Sequence, residues 1–321
     1  MKNLVKVEGA AVDTKNGLLD SALISRFLRF AAVSPNTEVT YKKSLKQLAK
    51  HFADNEIEKP ARADLENWRD SLIDSGKSAS TIQLYLSACK LFFRWLAQEG
   101  IFPNIADNLK SRVRISNNHK KDALTLKQAN NLLKAASKGT SLKALRLKAV
   151  IALKITTGLR DIEIVRADIC DIRQIDGRNF LYTQCKGHYS KDEMVEIAPA
   201  VMKAINAYLK AREKAAGKKL GRREPLFVST ARRNKNCRLQ TQTISREIKA
   251  ALRSICIDTS TITSHSLRHT AACLMIQQGV SIENVKMCLH HRQLQTTLIY
   301  LNVINRINNR AEITIAQVLR I

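Results

Sequence analysis

The chain has 321 residues, 45% of them hydrophobic, which is enough for two domains with cores of their own. Its 54 lysines and arginines against 28 acidic residues give a formal net charge of +26, and a polyanion is the expected partner. No window approaches the roughly 20 uninterrupted apolar residues of a spanning helix. The N-terminal MKNLVKVEGAAVDTKNG lacks the apolar core of a signal peptide, and the seven cysteines form no C-x-x-C pair. These features set aside a membrane protein and a secreted disulfide scaffold, and place the chain in the cytoplasm with reduced thiols.

Residues 1–19 are mixed polar with two glycines and read as a loose arm or a short extra helix. From Ser21 the pattern turns helical, with Leu23, Phe27 and Phe30 at helical spacing. A Ser34-Pro35-Asn36-Thr37 start signal follows, then Tyr41, Leu45, Leu48 and Phe52 on one face. A third helix is predicted from about Ala63 to Ser75, with Leu65, Trp68 and Leu72 inward. A fourth begins at Ser78 to Thr81 and runs to Gly100, carrying Ile82, Tyr85, Leu86, Cys89, Phe92, Phe93 and Leu96. Residues 20–103 therefore read as a compact four-helix domain whose aromatic residues are its core and whose outward faces carry Lys42, Lys43, Lys46, Lys77 and Lys90. Residues 104–121 have little apolar periodicity and several basic residues, and read as a linker.

The second domain, 122–321, is expected to be mostly α with one small antiparallel sheet. A helix holds Leu126, Leu132 and Leu133; another holds Leu145, Val150, Ile151 and Leu153 and is broken at Gly158, which leaves Arg160 at a turn. Three strands are predicted in ICDIRQI, NFLYTQCKG and MVEIAP, with a turn at Asp176-Gly177 between the first two. Lys186 falls where the middle strand runs into its loop. Helices follow from Pro199 and near Thr243 to Ser254, separated by a very basic stretch from Lys218 to Arg238.

The stretch from Thr263 to Tyr300 concentrates the chemistry. His265, Arg268 and His269 lie at i, i+3 and i+4, one face of a helix that starts near Thr263, while Leu267, Ala271, Leu274 and Met275 would anchor it until Gly279. On this reading the polar edge faces outward. An arginine flanked by imidazoles at a helix start suits a phosphate, whose oxygens match the guanidinium fork and the free N–H groups. The i, i+4 histidines also have the spacing of a metalloprotease helix, but Ser266 stands where that site needs a glutamate. No carboxylate or cysteine forms an obvious third ligand, so no metal and no cofactor is expected.

TTGLRDIE around Arg160, CKG at Lys186, HSLRH from His265, LHH ending at His291 and TTLIY ending at Tyr300 together resemble the tyrosine recombinase, or phage integrase, family in order and spacing. The four-helix module looks like that family's core-binding domain, so the resemblance covers nearly the whole chain. It implies a two-domain, mainly α architecture with a small antiparallel sheet. It also implies a site-specific recombinase that cuts and rejoins DNA through a 3′-phosphotyrosine. Tyr300 would be the nucleophile, Arg160 and Arg268 the phosphate clamp, and Lys186 the proton donor to the leaving oxygen. His291 and His265 would add hydrogen bonds, with His265 also a candidate base; Glu163 and His269 would support. The family's L-G-H glycine is His290 here, which leaves His290 a rival to His291, and the long hairpin loop leaves Lys191 a rival to Lys186.

The resemblance further implies double-stranded core sites as substrate and a homotetramer on DNA. The apolar tail from Ile313 to Ile321 would dock on a neighbouring subunit, and host bending or directionality factors would assist. Integration and excision of a mobile element is the leading expectation. Resolution of chromosome or plasmid dimers, or a DNA-binding protein without catalysis, are the alternatives.

Overall fold

The structure is a computed structural model and describes residues 19–113, 122–185, 187–309 and 311–320. It is mainly helical with one three-stranded antiparallel sheet, and divides into two units, residues 1–117 and 118–321. The expected arm, but for Leu19, and the second half of the expected linker lie outside the described residues. Among the described residues no helix is long and apolar enough to cross a membrane.

The first unit holds α1 (Ser21–Ala31), α2 (Pro35–Asp54), α3 (Arg62–Asp74) and α4 (Ala79–Gln98). The hydroxyls of Ser34 and Ser78 cap α2 and α4, and the Asp20 carboxylate caps α1, each accepting an otherwise orphaned backbone N–H. Such caps contribute about 1 kcal/mol each. The buried stripe of α1 is Leu23, Ile24, Phe27 and Leu28; Phe30, expected inside, is 50% exposed. Trp68 and Trp95 are both buried in this unit's core. Ala106 and Leu109, in the stretch that read as linker, join the same core. Arg62 donates to the carbonyls of Ile105 and Asp107, which anchors the segment after α4. Lys42, Lys43, Lys46 and Lys77 are exposed and Lys90 is half-buried.

In the second unit α5 (Leu126–Ala136) and α6 (Leu142–Thr157) lead to the short α7 (Asp161–Arg166). The sheet is β1 (Ile172–Ile175), β2 (Arg178–Thr183) and β3 (Glu193–Ile197), ordered β1-β2-β3, with Leu181 opposite both Ile172 and Val195. Asp176 and Gly177 take φ of 48° and 75°, the left-handed pair that a tight hairpin turn requires. The first strand is shorter than its apolar run predicts. Ile169 and Cys170 donate to the carbonyls of Glu224 and Arg222 instead of to β2, so this stretch forms a 3-10 turn.

The remaining elements are α8 (Pro199–Ala216), α9 (Thr241–Arg253), α10 (Ser264–Gln277), α11 (Ile282–Cys288), α12 (Gln295–Asn308) and α13 (Ala311–Leu319). Arg146 of α6, 1% exposed, donates two bonds to Glu247 of α9 at 2.6 and 2.7 Å and one to the carbonyl of Val228 at 2.6 Å. It thereby fixes the buried Leu226-Phe227-Val228 segment inside the basic stretch against both helices.

Candidate active site

The site forms where the ends of α6 and α11 meet the first turns of α7 and α10. Gly158 caps α6 in the left-handed region, φ 70°, and a Cβ there would lie 2.3 Å from Leu289 Cδ2. Only glycine satisfies both the backbone conformation and the close approach. The chain then turns to Arg160, which caps α7. Glu163, fully buried, accepts from the Arg160 backbone N–H and from its guanidinium, both at 2.8 Å. The carboxylate thus fixes the arginine by its backbone and its side chain together.

Arg268 departs from expectation. The polar edge of α10 does not face outward: Arg268 is 1% exposed and His269 3%, and only His265 of the three is exposed. The cause is a pair of helix ends. Arg268 donates to the carbonyl of Gly158, which caps α6, at 2.8 Å, and to that of Leu289, which caps α11. Terminal carbonyls lack partners within their own helices and carry the negative end of the helix dipole, so they stabilise a cation that burial alone would penalise. Burial, with Arg160 adding repulsion, lowers the Arg268 pKa to about 10, which leaves it charged at neutral pH.

Tyr300 lies on α12, 3% exposed, packed with Ala272, Val285 and Leu289. Its ring stacks on His291 at 6.2 Å between centroids with planes 10° apart, and tilts against His269 at 5.3 Å. Burial raises the phenol pKa above its usual value, and Arg268, within hydrogen-bonding reach, pulls the other way. The His291 ring is itself held, with Nδ1 2.9 Å from Thr297 Oγ1.

The two histidines and Lys191 have different surroundings. His290 takes φ 50°, the left-handed conformation that a glycine would adopt there, and holds a ring nitrogen close to Cys185 and Glu163, whereas the His291 ring stacks on the tyrosine. Lys191 donates to Asp168 at 2.7 Å and to Asp171. Burial opposes its charge, but those two bonds outweigh it and raise the pKa. Lys186 lies outside the described residues.

His265 sits 4.7 Å from the His269 ring, edge on. Partial burial of the ring first, then the charges of Arg268, Lys154 and Arg160, lower its pKa to about 4, against the pull of Asp161. The ring is therefore neutral at pH 7.

Three supporting residues escaped the sequence reading. Lys154 of α6, 1% exposed, donates to Asp161 at 2.5 Å and to the carbonyl of Leu159, while Ser264 Oγ donates to both Asp161 oxygens at 2.9 and 3.0 Å. This bridge ties the segment bearing Arg160 to the start of the helix bearing His265 and Arg268. Its one sequence signal is a lysine in the apolar run Leu153 to Ile155. Beside the site a cleft of about 1000 Å³ is lined by Arg160, Cys185, Glu193, His290 and His291.

Compared with known proteins, residues 122–306 match the model of the phage integrase family, and residues 25–100 that of the phage integrase N-terminal SAM-like domain. The chain is 28% identical over 282 residues to the tyrosine recombinase XerD of Oceanobacillus iheyensis, covering 86% of this chain and 91% of that protein. It is 28% identical over 272 residues to the tyrosine recombinase XerC of Thermodesulfovibrio yellowstonii, covering 84% and 86%. Among solved structures, XerH bound to palindromic difH substrate in a post-cleavage complex aligns with a TM-score of 0.72 at 18% identity, over 90% of this chain and 95% of that one. A λ integrase dimer bound to a COC′ core site aligns at 0.64 and 19% identity, over 87% and 76%. The chain belongs to the phage integrase family, the tyrosine recombinases. Within that class it is a site-specific DNA recombinase.

Proposed function

We propose that Tyr300 attacks a DNA phosphodiester to give a 3′-phosphotyrosine and a free 5′-hydroxyl, and that the reverse step rejoins exchanged strands. The observation that carries this reading is Tyr300 held against His291 within reach of Arg268, beside the arginine that Glu163 fixes. Attack produces a crowded phosphorane with extra charge on its non-bridging oxygens. Arg160 and Arg268, held before substrate arrives, stabilise that charge more than the ground state. Arg160 and Arg268 repel each other, and a phosphate between them relieves that repulsion. His265, neutral, takes the phenol proton; His291 donates to the phosphate; Lys186, by resemblance to the family, protonates the leaving 5′ oxygen. One ester replaces another, so the bond energy is retained and no ATP is consumed.

The substrate in this reading is double-stranded DNA carrying paired core sites, engaged in the cytoplasm by four copies of the chain with the help of host factors. The exposed Ile313, Ile315, Val318 and Leu319 of α13 supply an apolar patch for a neighbouring copy. Integration and excision of a mobile element is the role proposed. Dimer resolution is the second reading, and has on its side that the two sequence relatives named above are XerD and XerC.

The test is covalent trapping. The protein is incubated with nicked duplexes cut from the DNA flanking its gene and from elsewhere in the same genome, denatured, and examined for a band shifted by attached DNA. Attachment at the two ends of the segment carrying the gene supports the element reading; attachment at a single site elsewhere supports resolution. Tight salt-dependent binding with no covalent band would leave a DNA-binding protein without catalysis.

A further inference from the structure

His290 is an unusual residue for its position. A left-handed φ of 50° costs any side chain that has a Cβ, and a glycine would avoid that cost. Its ring is also poorly served: both nitrogens are shut off from solvent without a well-formed hydrogen bond, apart from a weak interaction with the Met194 backbone. Strain and poor hydrogen bonding at one residue call for a compensating partner.

Two potential partners face it. The carboxylate of Glu163 and the thiol of Cys185, 0% and 4% exposed, lie with a His290 ring nitrogen so that the three donor atoms are all within 4.8 Å of one another. They arrive from three separate places: the first turn of α7, the loop after β2, and the turn that ends α11. Around a tetrahedral zinc the donors stand roughly 3.4 Å apart, so the three atoms need draw together by no more than roughly 1.4 Å. The fourth position opens on the cleft that Arg160, Cys185 and His290 line.

We propose that Glu163, Cys185 and His290 form a three-ligand site for a thiophilic divalent cation of the zinc type, and that filling it inhibits strand cleavage. The donor set is a mixed sulfur, nitrogen and oxygen one that suits zinc and excludes magnesium and calcium, which take oxygen alone. Burial, then Glu163 and Glu193, push the Cys185 thiol up to about 12, with the thiol proton shared toward Glu163. The same two carboxylates attract a dication, which displaces that proton and turns thiol into thiolate. Inhibition follows from competition. Glu163 now gives both oxygens to Arg160, and a cation bound to it weakens that hold and adds positive charge beside the clamp. The inhibition rests on the function proposed above; the binding does not.

The experiment uses the reduced full chain, stripped with a chelator, and Co²⁺ as probe. A thiolate-to-cobalt charge-transfer band should grow to one equivalent, vanish on addition of Zn²⁺, and be missing in Cys185→Ser. His290→Gly should need more cobalt to reach the same band. In parallel, Zn²⁺ should reduce covalent DNA complex in the native chain relative to its own chelated control, while the ratio for Cys185→Ser stays near one. A band of equal size in Cys185→Ser would put the metal at the exposed Cys237 or Cys256 and overturn the site. A native band with undiminished cleavage would overturn the inhibition. No covalent complex even in chelator, with the band intact, would overturn the strand-transfer reading and leave the site standing.

Discussion

Ser264 donates its hydroxyl to both carboxylate oxygens of Asp161, at 2.9 and 3.0 Å, across 103 positions of sequence. Asp161 follows Arg160 directly and Ser264 precedes His265, so this bond sets the spacing between two members of the candidate site. Asp161 is also the partner of the buried Lys154 ammonium. Asp161→Asn keeps the shape but removes the charge, leaving Lys154 in the interior without its hydrogen-bonded counterion. A loss of about 3 kcal/mol is expected, read as a lower urea midpoint, because removing one member of a buried pair costs more than the pair's net worth. Lys154→Met in the same background should recover part of it, since the stranded charge is then gone.

Replacing Gly158 by alanine puts a methyl 2.3 Å from Leu289 Cδ2 at φ 70°. Overpacking and backbone strain together should cost about 2 kcal/mol in urea unfolding. Because the Gly158 carbonyl also holds Arg268, covalent complex formation should fall further than the stability loss explains, measured at a temperature where the variant remains folded.

Tyr300→Phe should abolish the covalent DNA complex while leaving the fold within about 1 kcal/mol of the parent, since one hydroxyl and its interaction with Arg268 are removed. Retained salt-dependent DNA binding by the variant is the accompanying outcome. A covalent band that survived would remove Tyr300 from the nucleophile role.

His265 carries a pH signature. Its folded value of about 4 lies below the ordinary 6.5, so between those values the unfolded chain binds more protons than the folded one. The stability that the neutral ring contributes is therefore complete above about pH 6.5 and lost as pH falls through 4. The urea midpoint of the native chain should drop between pH 7 and pH 4.5 by more than that of His265→Gln. Equal drops would show that burial and the charges of Arg268, Lys154 and Arg160 do not depress the ring.

Lys191→Ala removes a cation 26% exposed and paired with Asp168 and Asp171. About 1 kcal/mol of stability should be lost, with Arg238 still on Asp168, and the rate of covalent complex formation should be unchanged. Lys186→Ala should show the opposite pattern, with stability kept and cleavage lost.

Local periodicity made the helices legible in sequence. Apolar spacing, serine caps before α2 and α4, and the Asp176-Gly177 turn all act within a few residues. The order of Arg160, His265, Arg268, His291 and Tyr300 was legible for the same reason, since each sits in a short recognisable string. Contacts between distant strings were not. Nothing near Arg268 announces that two helix ends 110 and 21 positions away cover it, so an arginine expected at the surface lies in the interior. Cys185 read as one more reduced thiol, because the fold alone brings Cys185 and Glu163 to His290. The short β1 has the same origin, its neighbours being drawn to a segment fifty residues on.

Both tryptophans, Trp68 and Trp95, are interior residues of the first unit. Indole emission is consequently a private reporter of that unit, whereas far-ultraviolet circular dichroism sums over all helices. In a denaturant titration, coincident curves from the two signals would mean that the halves melt as one cooperative body; an earlier or later fluorescence transition would give each half its own melting curve without cutting the chain.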